Sequence, residues 1–333
     1  MTHPIPAEWA PHRAMWVGWP SHAEWWFDEL AAAKDEVEAL VHALAGPGRE
    51  NVKLMVGNDE ALPDAQARFA GVANVEVVAG RFGDVWLRDT GPIFGAGSKT
   101  AAAFSFNGWG GKYDMPGDDA VADQIAAAAG VTPTRNDFIL EGGALDHDGI
   151  GTILTTGQCL LNKNRNAGWT ASAAEAALAE ALGARKVVWL GEGLLNDHTD
   201  GHIDNLARFV APGVVALPIP FGAKDPNAEA YHAAADAIRA ATDADGNPLT
   251  ILPIPSPGMV LDEDQRPIPA SHMNFLIANG AVVVPTYGND MAARLACEAL
   301  ATVFPDREII PLPSNAILTG GGSFHCISQQ EPA

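Results

Sequence analysis

One arrangement recurs along this chain. Two short strands joined by a Gly- or Asn-bearing turn are followed by a helix and then by one more short strand. The hairpins read as GPIFGAGSKTAAAFSF, GGALDHDGIGTILTT, GHIDNLARFVAPGVVALP and HMNFLIANGAVVVPTY, each with alternation around a turn. The helices read as DDAVADQIAAAAG, TASAAEAALAEALG, NAEAYHAAADAIRAA and DMAARLACEALATVF. Thr170 and Asp290 are the expected N-caps, and Gly130 and Gly183 the expected stops. The closing strands are VTPTRNDFIL, KVVWL, LTILPIP and REIIPLP. The N-terminal AMWVGWP, EWWFDELAAAKDEVEALVHALAG and NVKLMVG follow the same logic less cleanly. The unit recurs about every 50–70 residues, about five times. No single unit can bury its apolar face alone, so the units must pack on one another. A ring would also remove exposed ends. The expectation is an α/β fold occupying residues 1–333 as one domain.

Charge and cysteine usage narrow the function classes. The chain has 20 basic and 41 acidic residues, a net charge of −21. Such a surface repels nucleic acid and anionic lipid and favours a cationic small molecule. No apolar run is long enough for a membrane span, and the N-terminus lacks the pattern of a signal peptide. Cys159, Cys297 and Cys326 form no CxxC pair, and an odd count argues against a disulfide framework. The expected compartment is the cytoplasm. Cys159 sits in a strand pattern and Cys297 in a helix pattern, so both read as core.

Chemistry-bearing residues fall on, or just before, the first strand of each hairpin. They are Asp89 in WLRDTGP, Glu141 in LEGGA, His202 and Asp204 in TDGHIDN, Asn274 in SHMNF, and Cys326 in GGGSFHC. In a ring of like units these positions converge on the axis. Gly320, Gly321 and Gly322 allow a tight turn and close approach of a ligand ahead of Cys326. His325 and Cys326 are strand neighbours, so they face opposite ways. His202 is the better base for a Cys326 nucleophile. A rival reading makes His198, Asp200, His202 and Asp204 metal ligands, since imidazole and carboxylate suit Zn or Mn. Gly201 breaks any helix between the two histidines, which leaves only a loop metal site.

Six segments in order, EWAPHRAMWVGWP, WLRDTGP, FNGWGGKY, LEGGA, TDGHIDN and GGGSFHCISQQEP, resemble the agmatine deiminase and bacterial peptidyl-arginine-deiminase-like family of guanidino-group-modifying enzymes. They run from Glu8 to Pro332. The resemblance implies a five-bladed, pseudo-symmetric α/β propeller of ββαβ units. It implies Cys326 as nucleophile, His202 as acid and base, Glu141 as the residue orienting that histidine, and Asp89 and Asp204 as guanidinium-binding carboxylates. It also places Trp86, Gly321 and Gly322 near the substrate. No metal or organic cofactor is implied, and a homodimer is a family expectation. A protonated His202 and a bound cation would lower the Cys326 pKa.

The sequence departs from the family pattern at Asp200, where plant-type members have asparagine, and at Phe324, where isoleucine is common. Both lie near the expected site. Asp197, Asp200 and the acidic balance favour agmatine over arginine or peptidyl-arginine, with Asp200 expected at the substrate.

Overall fold

The computed structural model describes residues 5–333. Its elements follow the repeat. β1 (His12–Trp19) leads through α1 (Leu30–Ala45) to β2 (Val52–Val56), and β3 (Val75–Ala79) follows. β4 (Ile93–Phe94) and β5 (Ala101–Ser105) precede α2 (Val121–Ala128) and β6 (Thr134–Ile139). β7 (Asp146–His147) and β8 (Thr152–Thr156) precede α3 (Ala171–Leu182) and β9 (Lys186–Leu190). β10 (Arg208–Ala211) and β11 (Val214–Ile219) precede α4 (Ala228–Ala240) and β12 (Thr250–Pro255). β13 (Leu276–Ile277) and β14 (Ala281–Thr286) precede α5 (Asp290–Ala301) and β15 (Glu308–Pro313), and β16 (Ser328–Pro332) closes the chain.

These strands make a mixed α/β fold of five separate sheets: β16-β1-β2-β3, β4-β5-β6, β7-β8-β9, β10-β11-β12 and β13-β14-β15. Each has an antiparallel pair followed by a parallel one. In the four three-stranded sheets a hairpin makes the first and a helical crossover the second, whereas in the four-stranded sheet the antiparallel pair joins β1 to β16. No hydrogen-bonded ladder joins the five into one closed sheet among the described residues. The middle strand of each three-stranded sheet is mostly buried. In β14 the residues Ala281 to Val284 have no exposure. β12 and β15 carry Pro253, Pro255, Pro311 and Pro313, and both are edge strands, where a missing N–H breaks no ladder.

Local signals act largely as expected. Thr170 Oγ1 accepts from Ala173 N at 3.2 Å, and Gly183 ends α3 at φ +73°. Gly130, at φ +75°, follows α2. At α5 the cap is Asn289 rather than Asp290. Its side chain accepts from Ala292 N at 3.2 Å, while Asp290 is already helical. Among the described residues no helix is long and apolar enough to cross a membrane.

The sheet that the sequence describes least well is the one shared by the chain ends. Polar β16, SQQEP, pairs antiparallel with β1 from His12↔Pro332 to Val17↔Ser328. All five of its residues are buried. Glu331 explains how: it has no exposure and takes Arg13, Lys53 at 3.1 Å and the Trp16 indole at 3.0 Å. Glu331→Ala strands the buried indole and removes two ion pairs. A loss of about 2 kcal/mol is expected, read as a lower urea midpoint with an unchanged slope.

Candidate active site

Each chemistry-bearing residue sits on a single helical turn just ahead of the first strand of its sheet. Asp89 lies within Leu87–Thr90, ahead of β4, and Glu141 immediately precedes Gly142–Ala144, ahead of β7. His202 precedes Ile203–Asn205, which carries Asp204, and Asn274 ends His272–Asn274. Cys326 lies in the turn that enters β16. His202 and Asp204 are therefore brought together by a 3-10 turn, not by alternation along a strand. The expected divergence of His325 and Cys326 is not found: they lie on a turn, and His325 Nδ1 at 2.8 Å and Cys326 Sγ at 3.4 Å both reach Asp204 Oδ2.

Cys326 Sγ lies 3.1 Å from Asn274 Nδ2 and 3.4 Å from Asp204 Oδ2. Asn274 Oδ1 accepts the backbone N–H of His325 at 3.0 Å and of Cys326 at 3.3 Å, so one side chain holds both the turn and the sulfur. Asp89 Oδ2 accepts from the Trp109 indole at 3.0 Å, and its Oδ1 from Gly143 N at 3.0 Å. His202 Nδ1 is 3.6 Å from Asp89 Oδ1. Gly143 shows how tightly these groups converge. A Cβ there would lie 2.6 Å from His202 Nδ1, 2.7 Å from Asp89 Oδ1 and 3.1 Å from Asp204 Oδ2. Only glycine leaves that space free.

A pocket of about 400 Å³ opens onto the sulfur, lined by Asp84, Trp86, Asp89, Trp109, Tyr113, Met115, His198, Thr199, Gly320, Gly321, Gly322 and Cys326. Trp86 forms one wall, stacked on Trp26 at 6.2 Å between ring centres. Both indoles donate to Asp84, at 2.7 Å and 3.1 Å. A Cβ on Gly322 would meet Trp86 at 2.5 Å, so glycine is what lets the Cys326 segment pass under the indole. His202, Asp204 and Glu141 are buried behind this pocket. Both ring nitrogens of His202 and Asp204 Oδ1 lack a hydrogen-bond partner. A buried polar atom left so is costly, and atoms of this kind converging behind the pocket suit a polar ligand that reaches in from it.

The charge state corrects the sequence reading. Burial, then the charges of Asp204 and Asp89, push the Cys326 thiol well above its ordinary pKa. Burial lowers His202 to about 3, so it rests neutral rather than protonated. Burial and the Asp204 charge raise Asp89 well above the carboxylate range. Asp204 is also disfavoured by burial, but the hydrogen bond and charge of His325 bring it net below that range. The ligand-free site thus pairs one carboxylate with one carboxylic acid and holds a thiol.

Asp200, expected at the substrate, is instead saturated by protein groups. Lys112 Nζ reaches its Oδ1 at 2.7 Å, and Arg165 and Asn164 reach its Oδ2 at 2.8 Å and 2.9 Å. His198 is exposed and hydrogen-bonds Tyr113 at 3.0 Å, apart from any metal set with His202 and Asp204. Among the described residues the grouping with metal-capable spacing is Glu141, Cys159 and His202, with atoms within 4.8 Å. Glu141 Oε1 there already takes Arg165 Nε at 2.6 Å, and an adjacent guanidinium opposes a second cation. Sequence reasoning missed Trp109, Arg165 and Asp84. The Gly-rich loop around Trp109 was the one visible signal.

The sequence profile of the Porphyromonas-type peptidyl-arginine deiminase family matches residues 4–332. The chain belongs to that family. Among its similar relatives, the agmatine deiminase of Stutzerimonas stutzeri (strain A1501) is 37% identical over 355 residues, which cover 99% of this chain and 95% of the relative. A structure of Enterococcus faecalis agmatine deiminase superposes with a TM-score of 0.92 at 31% identity, covering 99% of this chain and 96% of the other. A cysteine-to-serine variant of the C. jejuni agmatine deiminase with substrate bound does so with 0.85 at 26%, again over 99% and 96%.

Two measurements test this site of the deiminase-family chain. Gly143→Ala forces His202, Asp89 or Asp204 to shift and is expected to cut kcat/KM by about 100-fold, with circular dichroism retained and stability lowered by about 1–3 kcal/mol. Because the resting thiol is protonated, Cys326 alkylation by iodoacetamide should be slow at neutral pH. It should keep rising as the pH passes 9; a plateau near pH 7 would contradict the buried-thiol state.

Proposed function

We propose that this chain is an agmatine deiminase, hydrolysing agmatine to N-carbamoylputrescine and ammonia through an amidino group carried on Cys326. The observation that carries the reading is the convergence of a thiol and the Asp89 carboxyl at the floor of the pocket with the Asp204 carboxyl and an unpartnered imidazole buried directly behind them. Support also comes from relatives of that name along nearly the full chain. A guanidinium is planar, permanently charged and carries only N–H donors, so it suits two facing carboxylates. Asp204 and Asp89 take that role, with Asp89 losing its proton as the cation enters. The pocket lining contains no lysine or arginine to hold an α-carboxylate, which favours agmatine over arginine.

The incoming positive charge also offsets what keeps Cys326 protonated. His202 takes the thiol proton, and the sulfur attacks the guanidinium carbon. The C–N bond breaks and the nitrogen takes that proton from His202, leaving as ammonia. The remaining S-amidino cation is attacked by water, whose proton passes to His202. The C–S bond then breaks, giving the ureido product and the free thiol. The proton held on His202 leaves with ammonia as ammonium, so atoms and charge balance. Glu141, close to His202 and anchored by Arg165, orients the imidazole in this scheme.

The five like sheets and the β1–β16 pairing support a five-bladed propeller, closed by side chains rather than by a continuous ladder, and one domain over residues 1–333. Three unbridged cysteines support a reducing, cytoplasmic setting. The net charge of −21 disfavours nucleic acid and anionic membranes as partners, and a homodimer completes the proposal by analogy with the family.

Ammonia release should be measured with agmatine, arginine and a blocked arginine peptide side by side. Agmatine should be the preferred substrate by at least tenfold in kcat/KM, and no turnover of it would refute the reading. Cys326→Ala should abolish turnover, and a haloacetamidine should leave its adduct on Cys326 by mass spectrometry.

A further inference from the structure

His325 neighbours the nucleophile but takes no part in the chemistry above, and its ring is held from both sides. Nδ1 lies 2.8 Å from Asp204 Oδ2 and Nε2 lies 3.1 Å from Glu8 Oε2. A carboxylate accepts hydrogen bonds and offers none, so both contacts are hydrogen bonds only if both nitrogens carry protons. The ring is 2% exposed, Asp204 has no exposure, and Glu8 is 6% exposed.

The other charged groups around it are consistent with that state. Arg208 binds Glu8 and, at 2.6 Å, Asp146. Arg88 Nε donates to the His325 carbonyl at 3.3 Å, and its guanidinium has no carboxylate partner within ion-pair distance. His147 lines the same small cavity as His325, Glu8, Asp146 and Arg88, and burial lowers it to about 4, so it is neutral. Glu8, Asp146 and Asp204 bring three negative charges, and Arg88 and Arg208 bring two positive ones. One imidazolium balances the cluster without help from solvent, which a buried cluster requires.

We propose that His325 is a positioning residue: a buried imidazolium clamped between Glu8 and Asp204 that keeps Asp204 ionised and aims its free Oδ1 at the substrate guanidinium. The clamp rests on the reading of Asp204 as a guanidinium-binding carboxylate. It adds a residue that acts through Asp204 and never touches the substrate. It also accounts for the different states of the two site carboxyls. Asp89 has only an indole and a backbone N–H, whereas Asp204 has a cation.

The ligand-free holoprotein, labelled with ¹⁵N-histidine, tests the clamp directly. The His325 signals are assigned by their loss in His325→Gln. Two protonated ring nitrogens at pH 7.5 are expected, and a neutral tautomer would overturn the proposal. In kinetics, removing the cation raises the Asp204 pKa. His325→Gln should therefore raise KM for agmatine at least tenfold and move the acid limb of kcat/KM to higher pH. Glu8→Gln, which keeps an acceptor but removes its charge, should move the limb the same way by less. An acid limb unmoved in both variants would overturn the proposal. If His325→Gln does not fold, its signals are assigned by proximity to Cys326 and the Glu8→Gln profile decides. Asp204→Asn separates the two readings. Unchanged agmatine turnover there would defeat the guanidinium assignment while leaving the wild-type protonation result standing.

Discussion

A guanidinium with no exposure, Arg208, ties together more of this molecule than any other described side chain. From the start of β10 it binds Glu8 near the N-terminus and Asp146 on β7, and it donates to the carbonyls of Met273 and Phe275 at 3.2 Å and 2.9 Å. Glu8 in turn accepts Ile277 N at 2.7 Å and meets His325. Three sheets, the N-terminal segment and the turn bearing the nucleophile therefore share one buried charge network. Removing one partner from such a network typically costs about 3–5 kcal/mol, because the other charges stay behind unpaired. The network fixes where the site turns stand relative to one another, which no apolar contact could do with comparable directional precision.

Upon that frame the pocket is built to be electrically poor until occupied. Its thiol, its imidazole and one of its two carboxyls rest uncharged, all chiefly because of burial. A cation entering such a place meets little competing water, and its charge is felt at close to full strength. In the proposed reaction, the same low dielectric that keeps the Cys326 thiol protonated makes its activation depend on a bound positive charge. Stray electrophiles therefore find a thiol and not a thiolate.

Much of this was legible in the sequence. The recurring hairpin, helix and strand announced the helices and the second and third strands of four sheets, because alternation and turn glycines are local signals. The first strands proved only two to four residues long and follow helical turns that the pattern did not show. Cys326, His202, Asp204, Asp89 and Trp86 stand out in short motifs, and the structure places Cys326, Asp89 and Trp86 in one pocket with His202 and Asp204 buried behind it. β16 was not legible as a strand, since SQQEP has no apolar alternation and is buried only because Glu331 finds Arg13, Lys53 and Trp16. The partners of Asp200 were equally hidden, because Lys112 and Arg165 approach from other loops. Protonation states were misjudged for a related reason: desolvation is a property of the packed interior, not of a motif.

The sheet shared by the chain ends has a consequence for the order of assembly. Arg13 and Glu331 meet although they stand 318 positions apart in the sequence, and Cys326 stands in the turn just before that last strand. Four of the five sheets and the ion pairs of Arg208 use only residues that precede Cys326, so they can form before β16 docks on β1. Closing so long a loop adds little entropy beyond a shorter one, so lateness is not itself a barrier. What lateness confers is timing. Asp89, Glu141, His202 and Asp204 all precede β15, whereas Cys326 stands beyond it, so in the proposed reaction the sulfur joins the other groups only when β16 pairs with β1.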